Sequence, residues 1–283
     1  MSALHVGIGV LSWLLAANLL GLGNTVGYHR LLTHRAFKAA APVRVAFTLL
    51  GAMHSGSPMM WVGLHRLHHT KSDAPEDPHT PTKGFWAGHS GWLIGTTRPL
   101  PAILFALSGF GQQAVILGHD LRRLLGLQGA DWVSLCPDLR QERLMRVLDT
   151  PLVMPAIFAA QLTLAWLVGG PWGLLWLYLL HLFLTNTSWS VNSVCHWPKF
   201  GVQRWDTGDW SRDVWWLSVF TNGESYHNGH HRYPRSARHA LEGGQDLSWR
   251  VIQLLCATGL ASEPWLPKKY RPEGAVAAAG DAD

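Results

Sequence analysis

The chain has 283 residues, enough for one large domain or two small ones. Hydrophobic residues make up 48% of it and charged residues only 14%, whereas soluble domains carry about 25% charged residues, so the composition excludes an ordinary soluble protein. The net charge is +5. Its basic residues flank apolar segments and no nucleic-acid recognition motif is present, so the charge favours contact with anionic lipid and not with nucleic acid.

The first predicted element is a membrane-spanning helix over about residues 5–25. The first 29 residues contain no Asp, Glu, Lys or Arg, and about 20 apolar residues suffice to cross the hydrocarbon core of a bilayer. A secretory signal is a poorer reading, because no basic region precedes the apolar stretch.

Histidines follow this span in four short motifs. Residues 29–34 read His-Arg-Leu-Leu-Thr-His, residues 65–69 read His-Arg-Leu-His-His, residues 192–196 read Asn-Ser-Val-Cys-His and residues 227–231 read His-Asn-Gly-His-His. On a helix, the first, fourth and fifth residues of His-x-x-His-His share one face, so three imidazoles can converge. Neutral imidazole suits zinc, copper, iron and nickel. Nine histidines are more than one ion can bind, which predicts two metal ions held almost entirely by histidine.

Two further spans are predicted at about residues 151–168 and 172–191. No charged residue occurs from residue 150 to residue 198, and Gly-Gly-Pro at 169–171 predicts a turn. If the four motifs form one site, the segments that join them cross the membrane an even number of times, since a single crossing separates two motifs by about 30 Å. The apolar segments 45–63 and 104–117 are therefore predicted to lie in the interface or to dip into the protein.

The predicted fold is an all-α integral membrane protein, in which a helical transmembrane stem of three spans carries a histidine-rich cap. The cap comprises about residues 30–145 and 195–270, and the basic residues beside its motifs place it in the cytoplasm by the positive-inside rule. Residues 1–273 are interpreted as a single domain, and the Ala- and Gly-rich residues 274–283 are predicted to be disordered. In a bacterium the location would be the cell inner membrane.

The motifs, in this order, resemble those of the membrane-bound fatty acid desaturases, in particular the acyl-CoA Δ9 (stearoyl-CoA-like) branch. Residues 27–35 resemble the first histidine box of that family, residues 61–69 the second and residues 223–231 the third. Residues 192–196 are similar to an extra ligand motif of the branch. The family usually has four spans, so this chain is expected to begin at the second of them.

The resemblance implies a non-haem di-iron centre beside a bent hydrophobic tunnel. It also implies O2-dependent removal of two hydrogens from neighbouring methylenes, which gives a cis double bond at Δ9 of a long saturated acyl chain. Electrons would come from a separate donor, a ferredoxin or a cytochrome b5 with its reductase, because no haem-binding or flavin-binding module is visible. Asn192 would reach one iron through water. The implied iron ligands are His29, His34, His65, His68, His69, His196, His227, His230 and His231.

Other residues near the boxes are interpreted as support for these ligands. Trp61 is a candidate tunnel residue, and His79 and His89 are predicted to be structural or to contact a ligand. Isolated histidines such as His54 and His239 are predicted to be ordinary core or surface residues. Carboxylates close to the boxes are candidates to accept the second ring N–H of a ligand histidine: Asp73, Asp77, Asp206, Asp209 and Glu224.

Three questions stay open at the level of sequence. Gly63 and Leu64 stand where animal acyl-CoA enzymes carry an Arg-Asp pair, so the acyl carrier can be CoA, acyl carrier protein or a phospholipid. The same di-iron scaffold can hydroxylate an acyl chain, and only the product distinguishes the two reactions. A metal transporter or metal-binding membrane protein is a third reading, although it should place its ligands near the bilayer midplane and not at the ends of spans.

Overall fold

The computed structural model describes residues 3–127 and 132–271. The tail predicted to be disordered, residues 274–283, lies outside the described residues. The described chain is mainly helical, as the sequence predicts, with one antiparallel sheet of two short strands. The elements are α1 (Ala3–Leu22), a π-helix (Gly23–Thr33), β1 (Lys38–Ala39), α2 (Ala41–Ser55), α3 (Pro58–Lys71), α4 (Phe85–His89), α5 (Pro99–Ala106), α6 (Gly111–Leu124), α7 (Arg143–Leu148), α8 (Val153–Ser193), α9 (His227–Arg232), α10 (Leu247–Ala257) and β2 (Ala261–Ser262), with short 3-10 helices at Pro81–Lys83, Gly91–Ile94, Trp132–Leu135, Leu139–Gln141, Trp215–Leu217 and Lys268–Tyr270.

The first apolar helix widens as it leaves its hydrophobic part. Helix α1 continues directly into the π-helix, in which the N–H of His34 donates to the carbonyl of His29 at 3.1 Å. Side chains five positions apart on an α-helix point about 140° away from each other, whereas the i→i+5 bonds of a π-helix bring them onto one side. The rings of His29 and His34 accordingly lie 4.9 Å apart. The π-helix is what lets these two histidines act together.

Small residues allow α2 to pack closely against this widened helix. A Cβ atom on Gly23 would lie 2.4 Å from the backbone nitrogen of Gly51, and one on Gly27 would lie 2.8 Å from the carbonyl of Phe47. Larger side chains at these two positions would push α2 away. The contact fixes α2 beside the histidines of the π-helix.

Helix α8 is a hairpin of two antiparallel helices. The backbone reverses at Gly170, which has φ 53° and ψ −135°. His181 Nε2 lies 3.0 Å from Gln161 Oε1, although 20 residues of straight helix would separate them by about 30 Å. The halves, 153–169 and 171–193, correspond to the two helices predicted on either side of Gly-Gly-Pro. In the described chain, the helices long and apolar enough to cross a membrane are 4–33 and 153–193.

The two apolar segments predicted as single interfacial elements are each broken in two. Segment 45–63 divides into α2 and α3 at Gly56, whose φ is 84°, and the hydroxyl of Ser57 caps α3 by accepting from Met60 N at 3.4 Å. Segment 104–117 divides between α5 and α6, which are bent by 100° relative to each other. The small residues and proline at 55–58 indicate the first break in the sequence, whereas the second was not predicted.

The cap is built around the π-helix. Val26, Leu32 and Val62 belong to its largest buried apolar cluster, together with Met145 and Ile252. The two strands pair Lys38 with Ser262 and Ala39 with Ala261, so the C-terminal part of the chain is attached next to the exit of the π-helix. A separate apolar cluster joins α1 to the second half of α8 through Ala17, Leu20, Leu177, Leu180 and Leu184.

Candidate metal centre

Five imidazoles from three elements converge in a first cluster. The π-helix supplies His29 and His34, α3 supplies His65 and His69, and α9 supplies His230, with potential ligand atoms all within 4.8 Å of one another. The Nε2 atoms are 3.1 Å apart for His29 and His230, 3.2 Å for His34 and His65, 3.0 Å for His65 and His69, and 2.9 Å for His69 and His230. Nitrogens at about 2.1 Å from one ion and at right angles to each other are about 3.0 Å apart. The spacing fits a single metal ion.

Four imidazoles form a second cluster next to the first. It contains His68, His196, His227 and His231, again with potential ligand atoms within 4.8 Å of one another. The Nε2 atoms of His227 and His231 are 3.1 Å apart. The Nε2 atoms of His68 and His196 are buried and have no hydrogen-bond partner, an arrangement that costs about 1–3 kcal/mol per group. A cation bound between these nitrogens would remove that cost.

The two clusters share their supporting helices. In α3, His65 and His69 belong to the first cluster and His68 to the second, and in α9 His230 belongs to the first and His231 to the second. The rings of His69 and His231 are 4.6 Å apart across the boundary. The His-x-x-His-His motif therefore divides its imidazoles between two neighbouring sites, and the sequence prediction of two metal ions held by histidine fits this geometry.

Carboxylates orient three imidazoles of the second cluster. His68 Nδ1 lies 2.9 Å from Asp77, His196 Nδ1 lies 2.9 Å from Asp73, and His231 Nδ1 lies 2.6 Å from Asp209. A carboxylate that accepts the Nδ1–H leaves Nε2 free for a metal and makes the imidazole a stronger ligand.

These carboxylates are ionised. Burial opposes ionisation of Asp209, yet the hydrogen bonds that it accepts from His231, Ser211 and Thr207 hold its pKa well below its usual range. Asp77 behaves in the same way with His68, since burial is again outweighed and the pKa falls. The carboxylates behind the second cluster therefore surround it with negative charge.

Burial favours the neutral form of several clustered imidazoles. Burial is the main cause that lowers the pKa of His65, His69 and His227 well below the ordinary histidine value, and the neighbouring imidazoles add to this effect. A neutral imidazole keeps the lone pair that binds a metal. His65 and His69 of the first cluster and His227 of the second therefore keep this lone pair at neutral pH.

Glu224 is the carboxylate of the first cluster, and it belongs to a buried ionic network. Its two oxygens contact His29 Nδ1 and the guanidinium of Arg30. Arg30 is fully buried and also bonds Asp246 at 3.1 Å and the carbonyl of Ala237 at 3.0 Å. The sequence indicated Glu224 as a candidate but not Arg30. Arg30 is the first charged residue after an apolar span, and this position is typical of a residue that anchors a span at the membrane interface.

Asp206, the fifth predicted carboxylate, has a different role from the other four. Its Oδ1 accepts a hydrogen bond from Gly208 N at 3.1 Å and so closes an exposed turn. The prediction relied on its closeness in sequence to the histidine boxes, and the turn between Asp206 and Asp209 points the two side chains to different places.

His239 was predicted to be an ordinary residue, but it lies against the first cluster. Its ring is 4.4 Å from that of His230 and 5.2 Å from that of His29, and its Nδ1 is 3.8 Å from Glu224. Both of its ring nitrogens are buried without a hydrogen-bond partner. In the sequence, the indication that His239 lies near the clusters was its position in the segment that follows the third histidine box.

His79 and His89 lie around the clusters. The His79 ring is 4.5 Å from that of His68. His89 bonds Ser193 at 2.8 Å and Asn186 at 3.1 Å, which ties α4 to the second half of α8.

Two cavities meet beside the first cluster. Cavity one has a volume of about 470 Å³ and extends along α1 and α8, and cavity two has a volume of about 330 Å³ and extends into the cap. Trp61 and Asn192 line both, as does His65, on which the Trp61 ring is stacked at 5.0 Å. The cavities thus share part of their lining beside the first cluster, and this shared lining contains the predicted tunnel residue Trp61 and the predicted water-linked ligand Asn192.

Apolar helices of membrane-spanning length and two histidine clusters are the features of a membrane protein that binds metal. A family model described as fatty acid desaturase matches residues 8–244. The chain is 34% identical over 251 residues to the sn-1 stearoyl-lipid 9-desaturase of Anabaena variabilis, covering 88% of this chain and 80% of that protein. It is 35% identical over 251 residues to the Delta-9 acyl-lipid desaturase 1 of Arabidopsis thaliana, covering 88% and 72%. The protein belongs to the fatty acid desaturase family and is an oxidoreductase.

Proposed function

We propose that this protein is an O2-dependent di-iron desaturase that introduces a cis double bond at Δ9 of a long saturated acyl chain. The observation that carries the proposal is the position of two adjacent histidine clusters at the junction of two cavities. Relatives named stearoyl-lipid and acyl-lipid desaturases favour an acyl group carried by a membrane lipid. The nine clustered histidines would hold the two irons, and Asn192 would reach one of them through water.

The irons would supply the oxidising power that the reaction needs. An unactivated methylene has no acidic proton, so side chains alone cannot begin its oxidation, and the protein contributes binding, orientation and a dry site. The overall change is that one CH2–CH2 unit and O2, with two electrons and two protons, give one cis CH=CH unit and two waters. Electrons would come from a separate donor of the ferredoxin or cytochrome b5 type.

Cavity one suits the methyl end of the acyl chain. Trp13 and Ala17 of α1 and Phe183 and Leu184 of α8 line it, and it reaches from them to His29. Trp13 lies near the middle of α1, far along the apolar helix from the clusters. An acyl chain placed there would be surrounded by apolar side chains, and a limited depth would restrict its length.

The orientation in the membrane follows the distribution of charge. The histidine clusters lie beyond the apolar helices, on the side where Arg35, Arg44 and Arg66 form ion pairs with cap residues. By the positive-inside rule this cap faces the cytoplasm. A soluble electron donor can reach that face.

Expression in a bacterial host tests the function. Membrane fatty acids would be compared between cells with the wild-type chain and cells with His68→Ala, and double-bond positions would be fixed by mass spectrometry of dimethyl disulfide adducts. A new Δ9 monounsaturated acyl chain in the lipid fraction, absent from the variant, is the expected result. A hydroxylated chain would replace the proposal by the alternative oxidation, and two bound irons without any oxidised product would contradict both.

A further inference from the structure

The cap carries a group of exposed large apolar side chains. Two segments of the chain form this aromatic patch: Phe200, Val202, Trp215, Trp216, Val219 and Phe220. Trp215 alone is 71% exposed. The segments lie side by side, because Val202 and Asp213 exchange backbone hydrogen bonds of 2.8 and 3.0 Å. The Phe200 ring also lies 6.3 Å from that of Trp216. Contiguous exposed apolar patches mark interaction surfaces.

The backbone holds these side chains outward in a regular pattern. From residue 215 to residue 222, two exposed residues alternate with two buried residues. The inner face is fixed by hydrogen bonds, since the hydroxyl of Ser218 donates to the carbonyl of Trp215 at 2.7 Å and that of Thr221 to the carbonyl of Leu217 at 3.1 Å. An element with one face buried and the other in water would be polar on its outer face. Here the outer face is Trp, Val and Phe, and no charged residue occurs from residue 214 to residue 223.

The aromatic patch continues the surface of the membrane-spanning helices. A Cβ atom on Gly21 of α1 would lie 2.7 Å from Nδ2 of Asn222, so the segment lies against the end of α1. The Phe220 ring lies 6.4 Å from that of Phe183 in α8. Phe183 comes ten residues before the end of α8 at Ser193, about 15 Å along the helix axis. Phe220 therefore reaches the level of the uncharged part of α8, which is long and apolar enough to cross a membrane.

The residues in and around the aromatic patch suit the interfacial region of a bilayer. Tryptophan is enriched at this level because its ring is apolar and its N–H can bond headgroups or water. The exposed residues Lys199 and Arg204 flank the segment that contains Phe200 and Val202, a position from which they can contact anionic headgroups. A second copy of the chain would also bury the patch, but it would have to displace lipid from the adjoining faces of α1 and α8. Continuity with these faces favours lipid.

We propose that the aromatic patch inserts into the lipid interface on the side of the cap and holds the cap against the membrane. This contact goes beyond the proposed reaction and does not depend on it. Val219 and Phe220 also line cavity one, so the inserted segment forms the part of its wall that separates it from lipid. An uncharged run of about ten residues is too short to span a bilayer, so hydropathy along the sequence did not indicate it.

Depth-dependent quenching of a fluorescent label tests this proposal on the full-length protein. Cys256→Ser leaves two cysteines, Cys136 and Cys195, which are fully buried. A single new cysteine, Trp215→Cys or Val219→Cys, can then be labelled with a nitrobenzoxadiazole reagent. The protein would be reconstituted in vesicles of phosphatidylcholine and phosphatidylglycerol that carry a nitroxide either near the glycerol or at the end of an acyl chain. None of the measurements requires iron or turnover.

Two further positions are matched controls for the two surroundings. Leu11→Cys lies on the exposed surface of α1 near its middle, and Ser262→Cys lies on the exposed strand β2. We expect the labels at Trp215 and Val219 to emit at shorter wavelength than the label at Ser262 and to be quenched most by the nitroxide near the glycerol. The label at Leu11 should be quenched most by the nitroxide at the chain end.

Either of two results would overturn the proposal. In the first, iodide in the water quenches the labels at Trp215 and Val219 as strongly as the label at Ser262. In the second, neither the nitroxides nor iodide reach these labels, which would assign the aromatic patch to a protein contact. Because each position reports by itself, the test still decides if one of the two variants does not fold.

Discussion

The two histidine clusters differ in the number of imidazoles that they contain and in what their carboxylates contact. The first contains five imidazoles and one carboxylate, Glu224, whose charge is balanced by the buried Arg30. The second contains four imidazoles, three of which are oriented by carboxylates. A site with many ligands can depend less on each of them, whereas a site with few ligands gains affinity from the carboxylates behind them. The variants below compare the two clusters, beginning with the largest expected effect.

Removal of one ligand should affect the second cluster more than the first. We expect His68→Ala, which leaves three imidazoles, to reduce iron from two ions to about one per chain and to lower product formation by more than about 100-fold. His69→Ala leaves four imidazoles in the first cluster and should retain more iron. Iron per chain is measured by elemental analysis of the purified variants, and equal loss in both would show that the clusters depend on each other completely.

The buried ionic network should matter mainly for stability. Glu224→Gln removes one of the two carboxylates that pair with the fully buried Arg30, and we expect it to lower the free energy of unfolding by about 3 kcal/mol. Denaturant unfolding of the detergent-solubilised protein measures this. Glu242→Gln, which affects an exposed pair with Lys269, is the control and should leave stability unchanged. If both variants unfold alike, Asp246 alone satisfies Arg30.

The carboxylates of the second cluster should control metal affinity. Asp77→Asn keeps the size of the side chain but weakens the acceptor for His68 Nδ1, and we expect iron affinity to fall by about 10- to 100-fold. Asp206→Asn, whose side chain closes an exposed turn, should have no effect. Chelator titration of iron from each variant gives the affinities, and the comparison fails if Asp206→Asn releases iron as readily as Asp77→Asn.

His239 should have the smallest effect. Because five imidazoles already surround the first site, His239→Phe should leave two irons per chain and change product formation by less than about threefold, about 0.6 kcal/mol. Loss of one iron in this variant would make His239 a sixth member of the first cluster. The same elemental analysis decides between these results.

The sequence predicted the parts of the molecule that depend on local pattern. The Gly-Gly-Pro turn of α8, the nine histidines and four of the five carboxylates lie where motif spacing and resemblance put them. The assignment of these residues to iron stays a prediction. Asp206 shows the limit, since being close in sequence to a functional carboxylate does not determine where a turn points a side chain.

Contacts between distant parts of the chain were not predictable in this way. The partners of Arg30 in its ionic network, Glu224 and Asp246, are 194 and 216 residues away. His239 carries no motif of its own, and only the fold brings it to His230.

Because of the π-helix, the number of residues in Gly23–Thr33 affects the geometry of the histidine clusters. Its extra residue per turn is what places His29 and His34 on the same side. Deletion of a single residue within Gly23–Thr33 that left the type of helix unchanged would rotate every preceding side chain by roughly one residue step, about 100° on an α-helix, relative to those after it. Evolution can therefore substitute side chains along this segment more easily than it can shorten it, and natural variants of this protein should conserve its residue count even where they do not conserve its composition.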